Sequence, residues 1–185
     1  MTKIQLPVIA DVKGLGKVVE VNGDFYSELQ QLKSGGARLI SPRDEAYARL
    51  QTRGKEDIGR SYGTRTSAGF EYAKGQLPIF RINSRLTDQK LAKLVVEANR
   101  NEDYYCTETM REYEESLKEA EKDKDKSPSE RNVIILPSRD FFMMYDKENW
   151  EIYQAILKDQ AKPYFELNGL IKVCLRLSKS SSMFI

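Results

Sequence analysis

The sequence predicts an α+β fold in which several helices pack on a mixed or antiparallel sheet, within one domain that spans residues 1–185. Two observations indicate this class. Segments of β-type alternation are interspersed with segments of helical periodicity, without the strict strand–helix alternation of a doubly wound parallel fold. Hydrophobic residues make up 40% of the chain and charged residues 31%, which is the balance of a globular chain long enough to bury one core.

Turn and capping signals divide the first 53 residues into four elements. Alternating apolar residues on both sides of Gly14 predict two short strands. Asp24 is placed to cap a helix that ends near Lys33, and Pro42 stands at the first position of a second helix that ends near Arg53. In this second helix a glutamate precedes Arg49 by four residues, so we expect an ion pair along the helix.

The middle of the chain predicts a loop followed by a hairpin. Residues 54–69 are rich in glycine and hydroxyl groups and have no sustained period, so they are predicted to form a long ordered loop. The hairpin turns at Lys74-Gly75-Gln76. Its second strand, residues 77–84, contains Pro78 and is therefore predicted to lie at a sheet edge.

Helical spacing of apolar residues predicts three further helices, at about residues 87–100, 107–122 and 146–157. A short strand is expected between the first two, at residues 103–106, and a helical turn after Ser138. The middle helix has only a narrow apolar stripe among glutamates. This stripe suits packing on the chain's own sheet or, alternatively, a homodimer through helix 107–122.

The remaining segments of the second half are a connector, a strand, a hairpin and a tail. Residues 121–131 alternate in charge and predict a flexible connector. The apolar run from Asn132 to Pro137 predicts a central strand covered on both faces. Asn168-Gly169 is a strong hairpin signal and predicts strands at residues 164–167 and 170–177. The tail, residues 178–185, is expected to be loose.

Charge is distributed unevenly, although the net charge is only +2. Residues 37–86 contain ten lysines and arginines against five acids, a net charge of +5, whereas residues 100–126 contain six against ten, a net charge of −4. Eight of the thirteen arginines lie between residues 37 and 85, interleaved with tyrosine and phenylalanine. Arginine binds phosphate through two N–H groups and stacks on bases, so this composition suits a nucleic-acid or nucleotide interface.

We therefore predict an arginine-rich face, at about residues 38–67, that binds nucleic acid or another phosphate-bearing ligand. Its candidate binding residues are Arg49, Arg53, Lys55, Arg60, Tyr62, Thr64, Arg65 and Ser67. The competing interpretation is that these arginines pair with neighbouring acids on a solvated surface, or that the protein is a self-associating adaptor or structural protein.

Several other classes of function are disfavoured by composition. The chain has no histidine, which excludes histidine-based triads and most catalytic zinc and iron sites. Its two cysteines are too few for a disulfide framework or a paired-cysteine zinc site. No cofactor or metal site is predicted, and an enzyme is not the favoured class. The apolar runs are too short to span a bilayer and the N-terminus lacks a secretory signal, so we expect a cytoplasmic protein without a membrane partner.

One pair of residues suggests an enzymatic alternative. Asp11 and Lys13 follow an apolar strand as Asp-x-Lys, which resembles the acid-x-lysine element of restriction-like nucleases. The resemblance covers three residues, and the helix and acidic strand that usually precede this element are missing here. It implies that the acid would hold Mg²⁺ and the lysine would position the attacking water, as in a metal-dependent nuclease or phosphodiesterase.

Overall fold

The structure is a computed structural model that describes residues 4–52, 66–71, 73–100, 109–136 and 150–168. The strand predicted at residues 103–106, the helical turn after Ser138, the loose tail and most of the long loop lie outside the described residues. Within the described ranges the chain is an α+β fold with antiparallel sheets and helices packed on them, as the sequence predicts.

The N-terminal strands form a two-stranded antiparallel hairpin. Strand β1 spans Val8–Val12 and β2 spans Gly16–Val19. The turn between them is closed by a hydrogen bond from the Leu15 N–H to the Val12 carbonyl, at 3.0 Å. Gly14, at φ 88°, adopts the left-handed conformation that favours glycine, and this explains why the turn falls where the sequence predicts it.

The first two helices also follow their capping signals. Helix α1 spans Phe25–Gly35, and the Asp24 carboxylate accepts a hydrogen bond from the Ser27 N–H at 2.9 Å. Helix α2 spans Pro42–Thr52 and buries Ala46 and Ala48 completely. The two small side chains allow close packing, with Ala48 against the N-terminal hairpin and Ala46 in the main core.

The second sheet has three antiparallel strands in the order β3–β4–β5. They span Gly69–Glu71, Ile79–Arg81 and Val133–Ile135. The hairpin around residues 74–76 is confirmed, with Phe70 opposite Phe80. The predicted positions of two strands are wrong. The sequence places β4 at an edge, but it lies between β3 and β5. It places β5 at the centre, but β5 lies at an edge of the sheet among the described strands. Pro78 precedes β4, so its missing N–H costs no ladder bond.

Four helices in the second half of the described chain surround this sheet. They are α3 (Gln89–Arg100), α4 (Met110–Asp123), α5 (Trp150–Leu157) and α6 (Ala161–Asn168). Alternation along the strands places Ile79 against α4, where it packs with Tyr113. Phe80 points to the opposite face, where it joins a core formed with α2, α5 and α6. Helix α3 packs on α1 in a separate apolar cluster.

The strand predicted at residues 164–167 is wrong. These residues belong to α6, where Phe165 is buried with its ring 4.6 Å from that of Tyr153 between centroids. Pro163 lies in the first turn of α6, where it costs no helical hydrogen bond. Asn168 is the last residue of α6, and Gly169 and the strand predicted at residues 170–177 lie outside the described residues.

Helix α4 packs its apolar stripe against the chain's own sheet. Tyr113 and Ala120 are buried beside Val133, and the Tyr113 hydroxyl donates to the Leu77 carbonyl at 3.0 Å. The stripe that suggested a homodimer is thus covered from within the chain. After α4, the Ser127 and Glu130 side chains form a capping box around a short 3₁₀ turn. The flexibility of residues 121–131 stays a prediction.

Candidate functional site

The structure describes two of the eight predicted binding residues, Arg49 and Ser67. The other six lie outside the described residues; they are Arg53, Lys55, Arg60, Tyr62, Thr64 and Arg65. We call residues 53–65 the basic segment. It contains four lysines and arginines against two acids.

Arg49 is engaged within the protein. Its guanidinium forms the predicted ion pair with Glu45 one turn earlier, and the two side chains are only 18% and 5% exposed. Tyr164 of α6 lies close by: burial raises the pKa of its hydroxyl, and the charge of Glu45 adds to that increase. Because Glu45 is buried, its negative charge would destabilise the fold without a cation beside it, and Arg49 supplies that cation. Arg49 therefore stabilises the fold and is a poor candidate for a ligand contact.

Ser67 is also held inside the protein. Its N–H donates to the Ile40 carbonyl at 2.7 Å, and its own carbonyl accepts from the Ser84 N–H at 2.9 Å. Its hydroxyl donates to the Ile82 carbonyl at 3.3 Å. Ser67 thus anchors the chain where it leaves the basic segment.

The described residues on either side of the basic segment are packed in the core. Thr52, at the end of α2, is 9% exposed, and Thr66 is fully buried. The Thr66 hydroxyl accepts a hydrogen bond from the Ala68 N–H at 3.3 Å. The positions at which the basic segment begins and ends are therefore set by buried residues.

A buried charge cluster gathers Arg81 and Arg85, two of the eight arginines between residues 37 and 85, around Glu71. Glu71 is completely buried, and its carboxylate accepts hydrogen bonds from Arg81 Nε at 3.2 Å and from Arg85 Nε at 3.1 Å. It also accepts from the Ser84 hydroxyl at 2.8 Å and from the Arg85 N–H at 2.6 Å. With these bonds the buried carboxylate is fully compensated.

The same arginines reach across to α4. Both guanidinium groups donate to the Ser116 hydroxyl, at 3.0 Å from Arg81 and 3.2 Å from Arg85. Arg81 also bonds to Glu119 at 2.7 Å. Burial alone lowers the pKa of Arg81, but the hydrogen bond to Glu119 and the charge of Glu71 outweigh it and hold that pKa above its usual value. The cluster thus joins the sheet to α4.

Sequence reasoning did not identify Glu71 as the centre of this cluster. The signal was present, since Glu71 is the only acid in the hairpin of residues 69–81, which β3 and β4 form, and it is followed by arginines at positions 81 and 85. Only the strand register shows that these side chains meet, because it aligns Glu71 with Ile79 and turns Arg81 towards the same face.

Two more arginines of the predicted face are described. Arg43 forms a two-pronged bond to Asp159, at 2.7 and 2.9 Å, and also bonds to Asp44. Arg38 lies in the segment between α1 and α2, where it is exposed and makes no ion pair with any described residue. Five of the arginines between residues 37 and 85 are described, and Arg38 is the one among them that forms no ion pair with a described residue.

The Asp-x-Lys element lies on the N-terminal hairpin. Asp11 is in β1, exposed and opposite Lys17 of β2, and Lys13 lies in the turn. Within the described ranges, no group of three or more acidic or cysteine side chains is placed to hold a metal ion. Asp11 therefore has no second and third ligand among the described residues, which a nuclease site of this kind would require.

No helix in the described part of the chain is long and apolar enough to cross a membrane. Comparison with protein families, with curated proteins and with solved structures finds no match to this chain.

Proposed function

We propose that the protein binds nucleic acid or another polyanion, and that the basic segment, residues 53–65, makes the principal contacts. This proposal is narrower than the one drawn from sequence, since it omits Arg49 and Ser67. It keeps Arg53, Lys55, Arg60 and Arg65 as the charged contacts. Tyr62 and Thr64 remain candidates for stacking and hydrogen bonding.

The observation that supports the proposal is that the buried acids nearest the two ends of the segment are already neutralised. Glu45 lies before the segment and pairs with Arg49, and Glu71 lies after it and pairs with Arg81 and Arg85. Neither carboxylate is left to balance the four cations of the segment. The segment itself contains only two acids, so its composition gives it a net charge of +2, which favours an anionic partner.

The anchored ends support the same function. A segment whose two attachment points are fixed loses less conformational freedom on binding than one attached at a single end. Thr52 and Thr66 provide such points, and both belong to the packed part of the protein.

The proposal is tested by fluorescence anisotropy with a labelled single-stranded oligonucleotide. At about 50 mM salt we expect saturable binding that weakens steeply as salt is raised, because phosphate contacts release counterions. Arg60→Glu combined with Arg65→Glu should weaken binding at least tenfold and flatten the salt dependence.

The matched control is Lys118→Glu combined with Lys122→Glu. These lysines are exposed on α4, and their replacement changes the net charge by the same amount. If both double variants weaken binding equally, the segment makes no specific contact and only net charge matters. If the unmodified protein does not bind at low salt, the proposal is wrong.

A further inference from the structure

We propose that Asn22 is a site of spontaneous deamidation, at which the side-chain amide is hydrolysed to a mixture of aspartate and isoaspartate while the protein stays folded. Asn22 lies between β2 and α1 and is followed by Gly23. The reaction needs only water and is independent of nucleic-acid binding.

The reaction begins at the backbone nitrogen of the following residue. The Gly23 nitrogen loses its proton and attacks the side-chain carbonyl carbon, Cγ, of Asn22. The new C–N bond closes a five-membered succinimide ring, and the side-chain nitrogen leaves as ammonia. Water then opens the ring at either carbonyl group, which gives aspartate or isoaspartate. A side chain on the following residue hinders this attack, so an Asn-Gly pair reacts faster than other pairs that begin with asparagine.

The folded protein leaves this pair accessible. Asn22 and Gly23 are both exposed, in an irregular segment between β2 and α1. Gly23 has φ 153°, a backbone conformation that residues with a side chain rarely adopt. The entry into α1 therefore favours glycine at this position, and the same lack of a side chain makes the pair reactive.

Two other asparagines, each followed by a described residue, are protected by the fold. Asn83 precedes Ser84, which is buried and whose N–H donates to the Ser67 carbonyl at 2.9 Å. Asn132 precedes Val133, a branched residue that is buried at the start of β5. Attack by either backbone nitrogen requires the local structure to open first. Asn22 should therefore react before both.

Conversion at Asn22 should leave the start of α1 in place. The Asp24 carboxylate accepts from the Ser27 N–H at 2.9 Å and from the Ser27 hydroxyl at 3.0 Å, and these contacts lie after the altered backbone. Isoaspartate would disturb the hydrogen bond from Gln31 Nε2 to the Asn22 carbonyl, at 3.3 Å. The new carboxylate lies near the N-terminus of α1, where the helix dipole favours a negative charge. The converted protein should stay folded.

The test incubates the folded protein at mildly alkaline pH in water enriched in heavy oxygen, followed by tryptic digestion and mass spectrometry. Trypsin releases residues 18–33 as a peptide in which Asn22 is the only asparagine. We expect this peptide to give two products of equal mass, each with one solvent oxygen. Its conversion should be at least about tenfold faster than that of the peptides with Asn83 and Asn132, because those two require local opening. Equal rates at the three sites would overturn the proposal.

A variant and a denaturant control identify the reacting group. Asn22→Gln should abolish conversion of residues 18–33, because glutamine must close a six-membered ring, which forms much more slowly. Conversion that persists in this variant would place the reaction at Gln30 or Gln31 and overturn the proposal. Asn168, which also precedes a glycine, lies in a separate tryptic peptide and does not contribute to the signal. If the Asn22 peptide converts in urea but not in the folded protein, the proposal is wrong.

Discussion

Replacing Glu71 with glutamine removes the negative charge at the centre of the cluster that joins the sheet to α4. In the native protein, two guanidinium groups, one hydroxyl and one backbone N–H converge on this fully buried carboxylate. Glutamine keeps a carbonyl acceptor but directs an NH₂ group towards donors. Arg81 and Arg85 are then left without the anion that compensates for their partial burial.

The expected loss of stability follows from the exposure of the partners. Removing one member of a buried ion pair costs about 3–5 kcal/mol. The Arg81 side chain is 14% exposed and that of Arg85 is 36% exposed, so solvent still screens part of their charge and the lower end of the range applies. We expect about 3 kcal/mol, which for a chain of this size lowers the unfolding midpoint by roughly 6–12 °C.

Urea denaturation monitored by the fluorescence of Trp150 measures this loss. The matched control is Glu114→Gln, an exposed position on α4, for which a change within about 0.5 kcal/mol is expected. A loss smaller than about 1 kcal/mol for Glu71→Gln would refute the view that the cluster holds the sheet and α4 together.

Two further predictions concern residues with internal partners. Arg49→Gln leaves the Glu45 carboxylate buried without its cation, so the free energy of unfolding should fall by about 2–3 kcal/mol. The affinity for the oligonucleotide should stay unchanged. Weaker binding by a folded Arg49→Gln variant would show that Arg49 does contact the ligand. For Asp123, burial alone raises the pKa of the carboxyl, but hydrogen bonds from the Asn132 N–H and from Lys126 outweigh it and hold the pKa below its usual value. A lowered folded-state pKa adds stability that is present above about pH 4 and lost as the pH falls further. Asp123→Asn should therefore lower the free energy of unfolding at neutral pH and make that free energy depend less on pH below about pH 4. Urea denaturation at a series of pH values measures this, and an unchanged pH dependence below about pH 4 would contradict it.

Local signals in the sequence predicted most of the elements of the described chain. Gly14 and Asp24 fix a turn and a helix start through backbone conformation and a single cap, both of which depend on neighbouring residues only. The helix after Asp88, which the spacing of apolar residues predicts, also begins at a local cap, since the Asp88 side chain accepts from the Lys90 N–H at 2.9 Å.

The order of strands could not be predicted in the same way. The apolar run at Val133–Ile135 predicts cover on both faces, and this is only partly correct. Val133 is buried beside α4 and Ile134 packs against the core of α2, α5 and α6, whereas Ile135 is 40% exposed. The apolar run contains no information about which strands pair with β5 in the sheet. The edge is instead occupied in part by the Asp123 carboxylate, which accepts from the Asn132 N–H at 2.9 Å, a contact between residues nine apart.

The candidate site shows the same limit. The sequence correctly paired Arg49 with Glu45, because four residues separate them on one helix. It could not show that Arg81 and Arg85 meet Glu71, since that contact depends on the register of β3 and β4. Among the described arginines between residues 37 and 85, Arg43, Arg81 and Arg85 pair with acids that are distant in the sequence.

The most direct test of the proposed function is the salt dependence of oligonucleotide binding for the unmodified protein and for Arg60→Glu with Arg65→Glu. We predict saturable binding at about 50 mM salt whose logarithmic slope against salt falls by about 1.4 in the variant, as two phosphate contacts on a single strand require. Equal slopes for the two proteins, or no binding by the unmodified one, would contradict the assignment of the interface to residues 53–65.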